Sequence, residues 1–158
     1  MEEVMPGGRF ARPVRRGSTL ERDAGPGQLY VHELLVFLEA RGFELAPRYL
    51  GMTPNGRREI LSYVDGEIGY PPLPEFVRSD EALVSVARAI RSMHDAADGF
   101  APSSPGPRYS HDVCTPDPID CVGHGDLAAW NFVFNGSQVV GIIDWDSAGP
   151  SSRAWDLS

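Results

Sequence analysis

The stretch HGDLAAWNFVFNGSQVVGIIDWD, residues 124–146, constrains this chain more than any other. Phe132–Phe134 and Val139–Ile143 are aromatic and β-branched runs, with Asn135-Gly136 between them. Asn-Gly is the pair a tight hairpin turn favours, because positive φ costs these residues little. With Asn135–Gln138 as the loop, Phe134 pairs with Val139 and Asn131 faces Ile142. The open end of that hairpin then holds Asn131 and Asp144 near each other. Asp126 lies in the loop that feeds the same end. An amide and two carboxylates are thereby brought into one small volume.

The rest of the chain reads as short strands and two helices. Residues 7–24 hold two strand-like pieces around Gly17-Ser18, a hairpin pattern. In QLYVHELLVFLEARGF, Val31, Leu34, Leu35 and Leu38 fall at i, i+3, i+4 and i+7, which makes an amphipathic helix that Gly42 ends. APRYLGMTPNGRREILSYVDGE carries a second hairpin signal at Asn55-Gly56. Three prolines in YPPLPEF, residues 70–76, exclude helix interior and central strand and mark a connector. Ser79 caps the next helix, which runs to about Ala97, with Asp80 and Glu81 suited to its positive end. Leu83, Val86, Ala87, Ile90 and Met93 form its expected buried stripe. A Pro/Ser/Gly-rich connector, residues 100–120, leads into the hairpin. The predicted fold class is α+β, with residues 1–69 as a small N-terminal unit and 70–158 as a second unit.

Charge narrows the partners. The net charge of −8 argues against a phosphate-backbone partner, which needs a basic face, so no nucleic acid is expected. A nucleotide stays possible, because a metal can neutralise its charge. MEEVMPGGRF is acidic and lacks an apolar signal region, and no apolar run is long enough to span a bilayer, so no membrane is expected. Cys114 and Cys121 then read as reduced thiols, and the expected compartment is the cytoplasm.

Clustered carboxylates repel and need a counter-ion. Residues 109–152 contain no lysine or arginine, so a divalent cation is the natural answer. Asn and Asp oxygens suit Mg²⁺, which keeps some waters and takes substrate phosphates as further ligands. A carboxylate five residues before the amide can receive a proton from a substrate hydroxyl. A base, an amide on metal and an acid on metal are the parts of a phosphoryl-transfer site.

These motifs resemble the catalytic core of the aminoglycoside phosphotransferase / choline kinase-type family, which has the protein-kinase-like fold. His124-Gly125-Asp126 followed by Asn131 obeys the family's aspartate-plus-five spacing. Asp144-Trp145 resembles its metal-binding aspartate after a hairpin, and Asp156-Leu157 the later aspartate that supports the catalytic loop. RSMHDA at 91–96 is similar to the helix before that loop, and ILSYVDGE at 60–67 to the hinge that holds the nucleotide base. The resemblance implies a two-lobe fold with a small β-rich N-terminal lobe. It implies transfer of the γ-phosphoryl group of ATP or GTP to a hydroxyl of a small molecule. Asp126 would be the catalytic base, and Asn131 and Asp144 the Mg²⁺ ligands. His124 and Asp156 would brace the loop, and Leu61, Ser62, Tyr63 and Val64 would contact the nucleotide base. The chain has no lysine for the family's phosphate-binding position. Arg22 in TLERDA is the stand-in, with Glu33 as the helix acid that would pair with it. Family members continue with helices beyond the equivalent of Ser158, which implies an incomplete helical C-terminal lobe. Its uncovered apolar surface would favour a partner or self-association.

Two other readings compete. A kinase-like remnant without catalysis could bind a nucleotide or a protein. Alternatively, His111, Cys114, Cys121 and His124 could hold zinc as two close ligand pairs. Trp130 and Trp145 read as packing residues. Asp146 reads as a supporting acid or a surface one, and Gly7-Gly8 as a free end or a nucleotide-covering turn.

Overall fold

Five antiparallel strands form the N-terminal sheet, in the order β1-β2-β3-β5-β4. They are β1 (Glu2–Val4), β2 (Val14–Arg16), β3 (Thr19–Asp23), β4 (Tyr49–Met52) and β5 (Arg58–Ser62). The structure is a computed structural model that describes residues 2–4, 13–25, 27–103 and 118–157. Both expected hairpins form. Gly17 at φ 63 makes the β2–β3 turn, and Gly56 at φ 69 lies in the β4–β5 loop, where Thr53 and Arg58 close the turn. Gly7-Gly8 lies outside the described residues.

Helix α1 (Gln28–Ala40) joins β3 to β4. Its stripe of Val31, Leu34, Leu35 and Leu38 is buried as the spacing predicts, and Gly42 ends it in the left-handed region at φ 75. Those side chains join Phe132, Phe134, Ile142, Trp145 and Ala148 in one apolar cluster. The N-terminal helix and the C-terminal hairpin therefore share a core. The backbone crosses the same boundary, where Ile142 N donates to Leu45 O at 2.6 Å.

Helix α2 (Asp80–Ala96) starts at Ser79, whose hydroxyl accepts from Ala82 N at 3.1 Å. Its buried face matches the expected one at Ile90 and Met93, with Val86 partly buried against the core, and differs at other positions. Ala82, Ala89, Ile90, Met93 and His94 point inward, while Leu83 is 68% exposed and Ala87 is also exposed. The helix lies against a neighbouring strand at Ser85, whose hydroxyl accepts from Val139 N at 2.9 Å. That contact turns the small residues Ala82 and Ala89 inward and lets the elements approach closely.

The Asn135-Gly136 hairpin is β8 (Phe132–Asn135) and β9 (Gln138–Ile142), with β6 (Glu67–Ile68) on the outer side of β8. Phe134 pairs with Val139 as predicted. A bulge at Val140 then shifts the register, so Phe132 pairs with Ile142, and Ile143 N donates to Asn131 O at 2.8 Å. Asn131 thus faces Ile143, one residue beyond the expected Ile142. β7 (Cys121–Gly123) and β10 (Gly149–Ser151) form a separate two-stranded sheet.

β6 fits against β8 only because Gly66 has no side chain. Its φ is 151, and a Cβ there would lie 2.6 Å from Phe134 O. Gly66→Ala is expected to cost about 2 kcal/mol or more through strain and collision, read as a lower midpoint in urea unfolding.

Candidate active site

Arg22 comes from β3, where alternation turns it toward the core side of the sheet, and it is 7% exposed. A buried guanidinium must be paired. Its Nε donates to Glu59 Oε1 at 2.5 Å, and its Nη1 to Asp144 Oδ1 at 2.9 Å. Asp146 takes both Nη atoms, Nη1 at 3.2 Å from Oδ2 and Nη2 on Oδ1. Burial works against the charge of Arg22, but Asp146, Glu59 and Asp144 outweigh it and raise its pKa. Burial pushes the Asp146 carboxyl up, against the pull of Arg22. The counter-charge absent from residues 109–152 is thus supplied in part from β3.

Glu33, the expected helix partner, does not meet Arg22: it is bonded to Ser103 N at 2.8 Å and to the Ser103 hydroxyl. The role falls to Glu59 on β5, which is 2% exposed and also bonded to His32 Nε2 at 2.6 Å. Burial alone would raise the Glu59 carboxyl, but the bonds from His32 and Arg22 hold it below the usual carboxylate range. His32 lies on α1 and stacks on Tyr49 at 3.8 Å between ring centroids. Helix and cation are therefore linked through a strand acid. One signal was present: Glu59 shares the inward parity of Leu61 in REILS.

The loop from His124 to Asn131 carries the other groups. Asn131 is buried, and its Nδ2 donates to Asp126 O at 2.8 Å and Asp126 Oδ2 at 2.9 Å. This leaves Asn131 Oδ1 as a hard oxygen donor. Asp144 follows directly after Ile143, the residue hydrogen-bonded to Asn131. It is the one non-glycine at positive φ among the described residues, at φ 65 and ψ 58. Asp tolerates that region better than most residues, and such strain clusters at functional sites. Trp145 behind it is buried, with Nε1 donating to Ile142 O at 2.7 Å, so it packs as expected. Trp130 does not: it is 42% exposed.

Asp156 anchors the loop from below. Its carboxylate accepts from His94 Nε2 at 2.7 Å, His124 N at 3.1 Å and Gly125 N at 2.8 Å. Burial would raise its pKa, but these bonds hold it below the ordinary value. Gly123 makes the approach possible, since a Cβ there would lie 2.7 Å from Asp156 Oδ1. His124 is fully buried, which lowers its pKa despite nearby Asp156, and Nε2 donates to Ile143 O at 3.0 Å. A neutral, enclosed imidazole fixes the loop to the residue before Asp144 and has no access to a substrate.

The donor set suits a hard cation. Asn131 Oδ1 and the second oxygen of Asp144 are oxygen ligands of the kind Mg²⁺ takes beside water and phosphate. Of the four zinc-reading residues, His111 and Cys114 lie outside the described residues. Cys121 Sγ donates to Ser151 O at 3.6 Å, and burial pushes its thiol up to about 12. At the expected nucleotide hinge, Leu61 is buried, Ser62 N donates to Arg48 O at 2.9 Å and Tyr63 N to Ser18 O at 2.8 Å. The Arg15 guanidinium lies 3.8 Å over the Tyr63 ring, and Val64 presses on Gly141.

The sequence profile described as "Phosphotransferase enzyme family" matches residues 115–158, the segment that holds Asp126, Asn131, Asp144 and Asp156. The chain shares the kinase-like phosphotransferase fold. A choline/ethanolamine kinase family protein from Mesorhizobium loti superposes with a TM-score of 0.69 at 18% identity, over 99% of this chain and 62% of that one. APH(2")-IIia, solved as a complex with GDP and kanamycin, superposes with a TM-score of 0.67 at 14% identity, over 99% and 70%. Among curated proteins, the trifolitoxin immunity protein of Rhizobium leguminosarum bv. trifolii is 33% identical over 153 residues, 94% of this chain. The chain spans 56% of that relative's length. Among the described residues, no helix is long and apolar enough to cross a membrane.

Asp156→Ala is expected to destabilise the fold by about 3–5 kcal/mol, because it strands buried His94 and the buried amide of His124 and frees that of Gly125. A carboxyl with a lower pKa folded than unfolded stabilises fully above the unfolded value of about 4, and this is lost as pH falls through the folded value. Urea unfolding at neutral pH and in the acid range below pH 4 checks both: the gap between wild type and variant should be widest at neutral pH and close in acid.

Proposed function

We propose that this chain transfers the γ-phosphoryl group of ATP or GTP to a hydroxyl of a small molecule, with Mg²⁺ as cofactor. The observation that carries this is the convergence of Asn131 on Asp126 at 2.9 Å and of Arg22 on Asp144 at 2.9 Å. A base, two oxygen donors for a metal and a cation for phosphates are assembled from opposite ends of the chain. Asp126 has one oxygen held by Asn131, and its other oxygen takes the proton of the acceptor hydroxyl. Asn131 and Asp144 hold Mg²⁺, which when bound neutralises phosphate charge. Arg22 faces the phosphates in place of a lysine, and its planar fork allows two contacts where an ammonium offers a point charge. Val64 N–H, which has no backbone partner among the described residues, is available to the nucleotide base beside Leu61, Ser62 and Tyr63. His124 and Asp156 keep the loop in register. Phosphoryl transfer relies mainly on such positioning.

The relative's name supports a second reading. A chain 33% identical to an immunity protein could protect its host from a toxin, by phosphorylating it or by holding it. Survival of a toxin-challenged host separates these. Protection by the Asp126→Asn variant would favour holding, and loss of protection would favour transfer.

Nucleotide binding by calorimetry, with and without Mg²⁺, tests the main reading. Wild type is expected to bind in a Mg²⁺-dependent way, and Asp144→Ala to lose at least about tenfold in affinity, which is 1.4 kcal/mol. Metal-independent binding that is equal in both, or no binding in either, overturns it. Asp126→Asn is expected to keep nucleotide binding and lower turnover about 100-fold or more, the range of a lost general base.

A further inference from the structure

We infer that Arg22 is a latch on the metal-binding carboxylate: Asp144 becomes free for a divalent cation only when a nucleotide's phosphates draw Nη1 of Arg22 away. The inference rests on the reading of Asp144 as a Mg²⁺ ligand and adds an order of assembly to it.

The geometry carries the argument. Nη1 of Arg22 lies 2.9 Å from Asp144 Oδ1, so one of the two carboxylate oxygens is occupied and a fixed positive charge stands beside the other. The guanidinium is 7% exposed and the Asp144 side chain 48% exposed, so water reaches the carboxylate but screens the buried cation less than a surface one. A divalent cation alone would meet this charge with only Asp144 and Asn131 as protein ligands. Phosphate oxygens change the balance, because they replace Asp144 as the acceptor for Nη1 and supply further ligands to the metal. Arg22 need not leave its place for this. Glu59 holds Nε at 2.5 Å, and Asp146 grips both Nη atoms. Only one hydrogen bond has to change partner. Asp146 is thus a positioning residue, which keeps the guanidinium seated while Asp144 is released. A lysine ammonium lacks the fork needed to touch three carboxylates in this way.

Mn²⁺ binding to the full chain without nucleotide, followed by electron paramagnetic resonance, tests the latch, because it reads metal rather than turnover. Arg22→Gln is expected to bind Mn²⁺ alone at least about tenfold more tightly than wild type, which is 1.4 kcal/mol, while its nucleotide affinity falls. Arg22→Gln strands buried Glu59, so the double variant Arg22→Gln with Glu59→Gln is measured beside it. Losing the Glu59 charge weakens cation binding, so a tightening in the double variant comes from the arginine. Adding Asp144→Ala should remove the gained affinity. Unchanged or weaker Mn²⁺ binding in the folded variants overturns the latch, as does wild type that binds Mn²⁺ as tightly alone as with a non-hydrolysable nucleotide. The parallel wild-type titration with nucleotide and Mn²⁺ keeps the two ideas apart. No nucleotide binding there defeats the phosphotransfer reading, whereas intact binding with unmoved metal-only affinity defeats the latch alone.

Discussion

Burying the Arg22 guanidinium is the constraint around which the rest of the structure is arranged. An uncompensated buried cation is prohibitive, so β3 can hold Arg22 only if carboxylates reach it. Glu59 comes from the neighbouring strand, and Asp144 and Asp146 come from the far end of the chain. The pairing therefore fixes how the N-terminal sheet meets the β8–β9 hairpin. It also couples α1 to Arg22, because His32 shares Glu59. Removing Arg22 would leave buried Glu59 without its cation, so the network ties the two halves of the chain together.

A second buried carboxylate does the equivalent work for the loop from His124 to Asn131. Asp156 ties α2 through His94 to the amides of His124 and Gly125, and Gly123 leaves room for it. His124 then reaches Ile143, the residue before Asp144. The loop and the end of the strand that leads to Asp144 are linked by one ring. His94, His124 and Asp156 are buried, so the bond between His94 and Asp156 is worth more than it would be in water.

Much of this was legible in the sequence. Asn-Gly turns, the α1 stripe, the Ser79 cap and the Asp126/Asn131/Asp144 spacing depend on local rules, and those features stand in the structure. Other readings failed in part, for reasons beyond local rules. Ile90 and Met93 of the α2 stripe are buried as expected, but Leu83 and Ala87 face outward and Ala82 and Ala89 inward. The bulge at Val140 moved Asn131 opposite Ile143, and alternation alone does not reveal an extra residue. Glu33 was the acid on the helix, yet the acid that reaches Arg22 sits on β5. Its inward parity was visible, but its partner, 37 residues away, was not.

By itself, the sequence determined that an amide and two carboxylates would gather at the open end of one hairpin. Turn chemistry and spacing act over a few residues, so they can be read directly. Tertiary structure alone decided which charges touch. Residues separated by 122 and 124 positions meet at Arg22, because a buried cation draws every carboxylate the fold can bring within reach.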